Sequence, residues 1–317
     1  MSEFSMSRRS LLAGAAALPM AAGLGITKAN AAGHAQGPQI PRVNRFGVGD
    51  FEVTTMLVGS RTVEEPQTIF GMNVSAEEFA AASAEARIPV DKAQFFFTPT
   101  LVNTGSELIL FDTGLNGAAT AQAVEMAGYS ADAVTHVVLT HMHGDHIGGL
   151  MTDGAETFAN AAYITGQAEF DHWSGTDNEG FANNVKPLAE KMSFLGDGDS
   201  VTSGITAKAA FGHTPGHMTY MLDSNDQQLL ILADLTNHYV WSLAHPDWEV
   251  RFDMDKAAAA ASRRNVLGML ATDAVPFIGY HMPFPGVGYH MPFPGVGYVE
   301  TRGDGFHYVP HSYQLLL

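Results

Sequence analysis

One stretch in the middle of the chain constrains it more than any other: Val137-Val138-Leu139-Thr140-His141-Met142-His143-Gly144-Asp145-His146-Ile147-Gly148-Gly149-Leu150. The apolar run Val137 to Leu139 reads as a buried strand, and Gly148-Gly149 lets the backbone turn sharply away from its end. Between them stand three histidines and an aspartate within six positions. A strand end projects His141 and His143 to the same side, and the loop carries Asp145 and His146 back toward them. Imidazole and carboxylate together are the donor set of zinc or a similar divalent ion. A polar loop that merely holds histidines would need no partners elsewhere, and the rest of the chain supplies them.

The partners are His217, Asp234 and His281, each just after an apolar strand or in a glycine-bearing loop beyond one. Such placement is what convergence on one sheet edge requires. The full set of His141, His143, Asp145, His146, His217, Asp234 and His281 is too large for one tetrahedral zinc and suits two ions. His141, His143 and His217 would hold the first ion and Asp145, His146 and His281 the second, with Asp234 bridging. A carboxylate between cations about 3.5–4 Å apart offsets their repulsion and leaves room for a shared hydroxide. His213, His238 and His245 read as supporting or surface groups and fall outside the metal set.

Composition narrows the partners. The 317 residues are 46% apolar, enough for one large core or two small ones. With 33 acidic against 16 basic residues the formal charge is -17. That argues against nucleic acid, whose phosphates demand a basic footprint, and against anionic membranes. No cysteine is present, so disulfides, thiolate ligands and cysteine nucleophiles are excluded. Residues 1–32 carry Arg8-Arg9, a soft apolar stretch from Leu11 to Ile26, and a small-residue site at Ala29-Asn30-Ala31. This pattern reads as a twin-arginine-type export signal and implies a periplasmic or secreted enzyme. The residues ahead of Met6 read as an appendage. The apolar stretch is too short and weak for a membrane span.

In order after the linker at Gly33 to Pro41, Phe46 to Val58 reads as a strand and Ala76 to Ala86 as a helix capped by Ser75. Strands follow at Phe95-Phe96-Phe97, Thr100 to Asn103 and Leu108 to Phe111. Ala118 to Ala127 reads as a helix stopped by Gly128. Tyr163-Ile164 is a strand, and Gln167 to Trp173 and Val185 to Met192 are helices. Ile205 to Phe211, Met218 to Leu222 and Leu229 to Leu232 are strands, Met254 to Leu270 a helix, and Val275 to Tyr280 a last strand delivering His281. Strands in two groups, each followed by helices, suggest two sheets packed face to face with helices outside and the ligands at one edge. Residues 33–317 then form one domain.

One segment is duplicated: Gly279-Tyr280-His281-Met282-Pro283-Phe284-Pro285-Gly286-Val287 recurs unchanged as residues 288–296. A single tandem copy is not a solenoid. It lengthens a loop beside a ligand, so altered substrate access is the expected consequence. His281 directly ends an apolar strand whereas His290 follows a Pro/Gly loop, which favours His281 as the ligand.

Asp112-Thr113-Gly114, His141-x-His143-x-Asp145-His146, Thr214-Pro215-Gly216-His217, Asp234 and His281 together resemble the pattern of the metallo-β-lactamase superfamily, over roughly Phe46 to the C-terminus. The resemblance implies an α/β fold, the αββα sandwich of two mixed sheets, with two metal ions, zinc foremost, at its edge. Fold alone names no substrate. True β-lactamases often use a cysteine ligand or lack the bridging aspartate. Glyoxalase-II-like thioesterases add a basic pocket, and no basic cluster follows the leader. Nuclease branches conflict with the acidity. Thr140 to Leu150 and His281-x-Pro283-Phe284-Pro285-Gly286 are most similar to the methyl parathion hydrolases and lactonases.

That resemblance implies a metal-bridging hydroxide attacking organophosphate triesters, lactones or aryl esters. Asp145 and Asp234, along with metal-bound water, are the candidate proton donors for a ring alkoxide. Leu115, Trp173, Met282 and Phe284 are the candidate substrate contacts. A homodimer is implied by the resemblance alone. The competing readings are a glyoxalase-II-like thioesterase and a non-catalytic periplasmic metal-binding module.

Overall fold

The computed structural model describes residues 43–283 and 296–310. The export-signal reading of residues 1–32, and Phe284 and His290 of the duplicated segment, lie outside them. The first half runs β1 (Val43–Val48), β2 (Phe51–Met56), β3 (Gly59–Glu64), α1 (Ala76–Glu85), β4 (Lys92–Phe97), β5 (Thr100–Asn103), β6 (Leu108–Phe111), α2 (Gly117–Met126), β7 (His136–Leu139), α3 (Gly144–Ile147), β8 (Met151–Thr152), β9 (Ala155–Glu156), β10 (Ala162–Gly166), α4 (Gln167–Ser174) and β11 (Met192–Leu195). The second runs β12 (Ser200–Thr202), β13 (Ile205–Ala209), β14 (Met218–Ser224), β15 (Gln227–Ala233), α5 (Lys256–Asp273), β16 (Phe277–Gly279), β17 (Val296–Arg302) and β18 (Gly305–Pro310).

Two mixed sheets result, ordered β1-β2-β5-β6-β7-β10-β11 and β12-β13-β14-β15-β16-β17-β18. The period-2 geometry of a strand explains why both are nearly continuous apolar runs: each face of each sheet is covered. Ile109, Phe111, Val138 and Ile164 point into the layer between the sheets, against Ala207, Tyr220, Leu229 and Ile231. Their neighbours Leu108, Leu110, Val137 and Tyr163 point the other way and pack under Ala123, Val124 and Trp173. On the far side Leu230, Leu232 and Phe277 pack under Leu267 and Leu270 of α5. The layers are therefore helix, sheet, sheet, helix, as the two strand groups imply.

Several local expectations are corrected. Phe46 to Val58 is a hairpin: Gly49 takes a φ of 56°, where a side chain is strained, and the turn is held by Gln227 and Ser224. Val185 to Lys191 is irregular helix, π-type over Phe181–Val185 and 3-10 over Lys186–Lys191, because Pro187 supplies no N–H, and Met192 already begins β11. The long helix begins two residues late, where the Asp255 side chain accepts from the Ala258 N–H, and ends at Ala274 with a φ of 53°. The Ser75 cap forms as expected, accepting from the Glu78 N–H at 3.1 Å. The antiparallel β3–β4 pair, its strands separated in sequence by α1, forms a sheet of its own, and with α1 and residues 239–250 it builds a separate aromatic cluster around Phe70, Phe79 and Trp241.

Candidate metal centre

Each half of the fold delivers part of the site. Buried β7 ends at Leu139, and the turn after it brings His141, His143, Asp145 and His146 together, with α3 as a single helical turn. The neighbouring strand β6 ends in Asp112, held at a φ of 60°. Its carboxylate accepts from the Thr140 N–H and hydroxyl at 2.9 and 2.8 Å, and from the His146 Nδ1–H at 2.8 Å. Asp112 thereby fixes the tautomer of His146 and turns Nε2 toward the site. From the second sheet, Asp234 follows β15 and His281 follows β16.

Two groups of donor atoms converge. His141, His143, His213 and Asp234 form one; Asp145, His146 and His281 form the other. Asp234 touches both: its oxygens lie 3.3 Å from His213 Nε2, 3.3 Å from His146 Nε2 and 3.1 Å from His281 Nε2. The structure thus gathers His141, His143, Asp145, His146, Asp234 and His281 as the sequence reading expects. His217 is the exception. Its Nδ1–H donates to the Ala210 carbonyl at 3.2 Å and its Nε2 accepts the Asp234 N–H at 3.2 Å, so neither nitrogen is left for an ion. His213 takes that corner instead, its Nδ1–H donating to Asp253 at 2.9 Å and Asp253 anchored by Arg263 at 2.7 Å. His238 and His245 stand apart, stacked on Trp241 and Trp248.

The atoms left over fit divalent cations. His141 Nε2 and His213 Nε2 lie 3.2 and 3.0 Å from His143 Nδ1. The Nδ1–H groups of His141 and His213 are already committed, to Thr140 and Asp253, so lone pairs converge on one point. His146 Nε2 and Asp234 Oδ1 are buried without a hydrogen-bond partner. A buried cluster of this kind is costly unless a cation or protons fill it.

Protonation follows the same geometry. Burial pushes His143 and His217 down, to about 3 for His217, with the neighbouring His213 reinforcing it. Burial acts the same way on His213 and His281, but Asp234 together with Asp253 or Asp145 overrides it, lifting them to about 9 and about 10. These two raised imidazoles stabilise the metal-free fold fully below about pH 6.5, and that contribution is lost as pH rises through about 9–10. Metal must displace those protons, so affinity rises with pH. At pH 7 metal binding is expected to release at least about one proton per chain, read as calorimetric enthalpies that differ between buffers of different ionisation enthalpy.

A cavity of about 390 Å³ opens over the site, walled by Val63, Ile69, Phe95, Phe97, Phe252 and Leu115 with Arg61 and Arg251. Leu115, 54% exposed, lines it as expected. Trp173 does not: its indole N–H donates to the buried Glu169 at 2.7 Å, which turns the ring into the core beneath His143. Met282 is buried among Leu270 and Phe277, in space that Gly279 leaves open. The aromatic walls and both arginines were missed in the sequence because the β3–β4 pair and residues 69 and 251–252 reach the site only through tertiary packing.

The two GH-type histidines are separable by experiment. His213→Ala is expected to lose metal relative to folded protein, whereas His217→Ala is expected to keep metal but melt earlier; metal analysis alongside thermal melts checks both. The signal for His213 was present as Gly212-His213 ahead of Thr214-Pro215, but ring direction in that loop is decided by the remote Asp253.

The comparisons agree with this geometry. A family model described as the metallo-beta-lactamase superfamily matches residues 98–277. A Bacillus subtilis (strain 168) protein described as "Probable metallo-hydrolase YybB" is 30% identical over 127 residues, 38% of this chain and 53% of its own length. A Brucella canis protein described as a UPF0173 metal-dependent hydrolase is 35% identical over 75 residues, 24% of this chain. The chain spans 30% and 53% of the lengths of these two relatives. Among solved structures, the dizinc quorum-quenching lactonase AidC, in complex with a product, is 25% identical with a TM-score of 0.75, covering 86% of this chain and 98% of that one. The hydrolase AbOPH shares the fold at 20% identity and a TM-score of 0.77, covering 87% and 99%. With a family model covering more than half its length and the converging histidine and aspartate donors in place, the chain belongs to the metallo-beta-lactamase superfamily.

Proposed function

We propose that the protein is a two-metal hydrolase of lactones and aryl esters, with organophosphate triesters as alternative electrophiles for the same site. The observation that carries this reading is Asp234, a buried carboxylate within 3.3 Å of donors from both ligand groups. When bound, a pair of divalent ions, zinc foremost, supplies an activated water nucleophile and Lewis-acid polarisation of the electrophile. The protein's own residues do the rest. Asp112, Asp253 and the Phe96 carbonyl, the last 2.8 Å from His281 Nδ1, orient three of the imidazoles. Phe95, Phe97 and Phe252 exclude water from the apolar body of the substrate. Asp145 lines the cavity and is the proton carrier for a leaving alkoxide, since Asp234 already accepts from Asn237 at 2.9 Å.

The similarity to AidC supports the lactonase half of the reading. Arg61 and Arg251 give one observation in favour of a thioesterase acting on an acyl-glutathione, whose cationic wall they would supply. The test is a parallel assay of the zinc-loaded protein on dihydrocoumarin, an acyl-homoserine lactone, methyl parathion, paraoxon, nitrocefin and an acyl-glutathione. Turnover confined to the acyl-glutathione selects the thioesterase; bound metal with no turnover selects a binding module. Residues 1–32 are proposed to direct export. Among the described residues no helix is long and apolar enough to cross a membrane.

A further inference from the structure

Away from the metal-facing atoms, the cavity wall carries two formal charges, and both are positive. Asp145 and Asp234 are the acidic residues on that wall, and both belong to the ligand groups. Arg61 lies on β3 directly opposite Phe95 on β4, and Phe95 packs edge-on against His281 with ring centres 5.2 Å apart. Arg251 is pinned by its N–H to the Ile69 carbonyl at 2.7 Å, and its guanidinium sits 5.1 Å from the Phe252 ring centre. Among the described residues neither arginine has a carboxylate within 4.0 Å, and nor does Arg87, while Arg45, Arg263, Arg264 and Arg302 each have one. In a chain of net charge -17 such partners are abundant, so two unpaired guanidinium groups on one cavity are conspicuous.

We infer that the site takes an ester or lactone whose far end carries an anionic group, a carboxylate or its equivalent, held by Arg61 and Arg251. This rests on the hydrolase reading of the same site and names its substrate class. The wall holds all three kinds of group such a molecule would need: metal-facing donors, the apolar rings of Phe95, Phe97 and Phe252, and the two arginines. Guanidinium forks bind planar anions bidentately, and both arginines are exposed and so reachable by a ligand. They also offset the repulsion that the acidic surface imposes on an anionic substrate.

The test compares mono(4-nitrophenyl) glutarate with neutral 4-nitrophenyl valerate on the zinc-loaded protein at low ionic strength. The ratio of their kcat/KM values is expected to fall at least about tenfold in the Arg61→Gln/Arg251→Gln double variant, through KM for the anionic ester. Lysine at both positions is expected to restore part of it, and added salt to erode the wild-type ratio. A double variant that keeps the wild-type ratio overturns the proposal. A second readout needs no turnover: 2-naphthalenesulfonate should bind the zinc-loaded protein more tightly than 2-naphthol, and the double variant should lose the difference. Equal binding in the wild type overturns the anion site. A sulfonate preference without turnover of either ester upholds the anion site while the hydrolase reading fails.

Discussion

If the proposed two-metal site forms, Asp234→Asn is expected to retain at most about half of the wild-type metal content and to lose activity by more than the roughly 10–100-fold that removal of an outer-shell partner costs a metal site. The side chain keeps its volume and its hydrogen bond to Asn237 has a substitute, so packing is not the cause. What goes is a buried charge whose two oxygens lie within 3.3 Å of His146, His213 and His281. Burial alone would push Asp234 toward the neutral acid, yet His281 and His146 hold it well below the usual carboxylate range. Breaking such a buried pair costs about 3–5 kcal/mol, because the remaining partners stay desolvated. Metal analysis with a matched far-ultraviolet spectrum separates lost ligation from lost fold. Full metal content and full turnover in the variant would sink the bridging role.

A second large effect lies away from the cavity. Glu169 on α4 is fully buried and its carboxylate accepts four hydrogen bonds. Oε1 receives the Met142 N–H at 2.8 Å and the Trp173 indole N–H at 2.7 Å; Oε2 receives the Thr214 hydroxyl at 2.7 Å and the Gly216 N–H at 2.9 Å. One side chain therefore ties the His141–His146 loop to the His213–His217 loop. Gly216 is small because any side chain there would collide with the Glu169 backbone. Glu169→Ala orphans several buried donors at about 1–3 kcal/mol each, not fully additive, so a loss of about 3–5 kcal/mol is expected. At roughly 2–4 °C per kcal/mol for a domain of this size, the melting midpoint drops by about 6 °C or more. Glu169→Gln rescues little, since its amide nitrogen must face donors. A melting curve within a degree of wild type for either variant would remove Glu169 from this role.

How much of this was legible in the sequence depended on how local the deciding forces were. Val137 to Leu139 is legible as a doubly buried strand because both faces of it are apolar, and the ligands after it follow from strand geometry. Asp234 and His281 were legible for the same reason, each ending an apolar strand. His213 against His217 was not legible: the loop offers two histidines, and the choice is made by Asp253 and the Ala210 carbonyl, distant or backbone groups that leave no local mark. Trp173 and Met282 look like pocket residues by their position in the chain. Glu169 captures the first, and the space left by Gly279 admits the second to the core. The cavity wall was the least legible part, since strands β3 and β4, far from the ligand motifs, supply Arg61, Val63, Phe95 and Phe97.

The ligand set draws His141, His143, Asp145 and His146 from the first sheet and His213, Asp234 and His281 from the second. An ion bound by donors of both sheets is therefore a clasp across the seam of the sandwich as well as a reagent. Cohesion and chemistry then share the same atoms, and a bound ion would add to the folding free energy as the logarithm of one plus the ratio of its free concentration to its Kd. Chelation should loosen the edge where β7, β15 and β16 end before it affects the layer beneath α5, so amide exchange would spread inward from that edge. A substitution that tunes turnover through a ligand will then also change how firmly the two halves are held together.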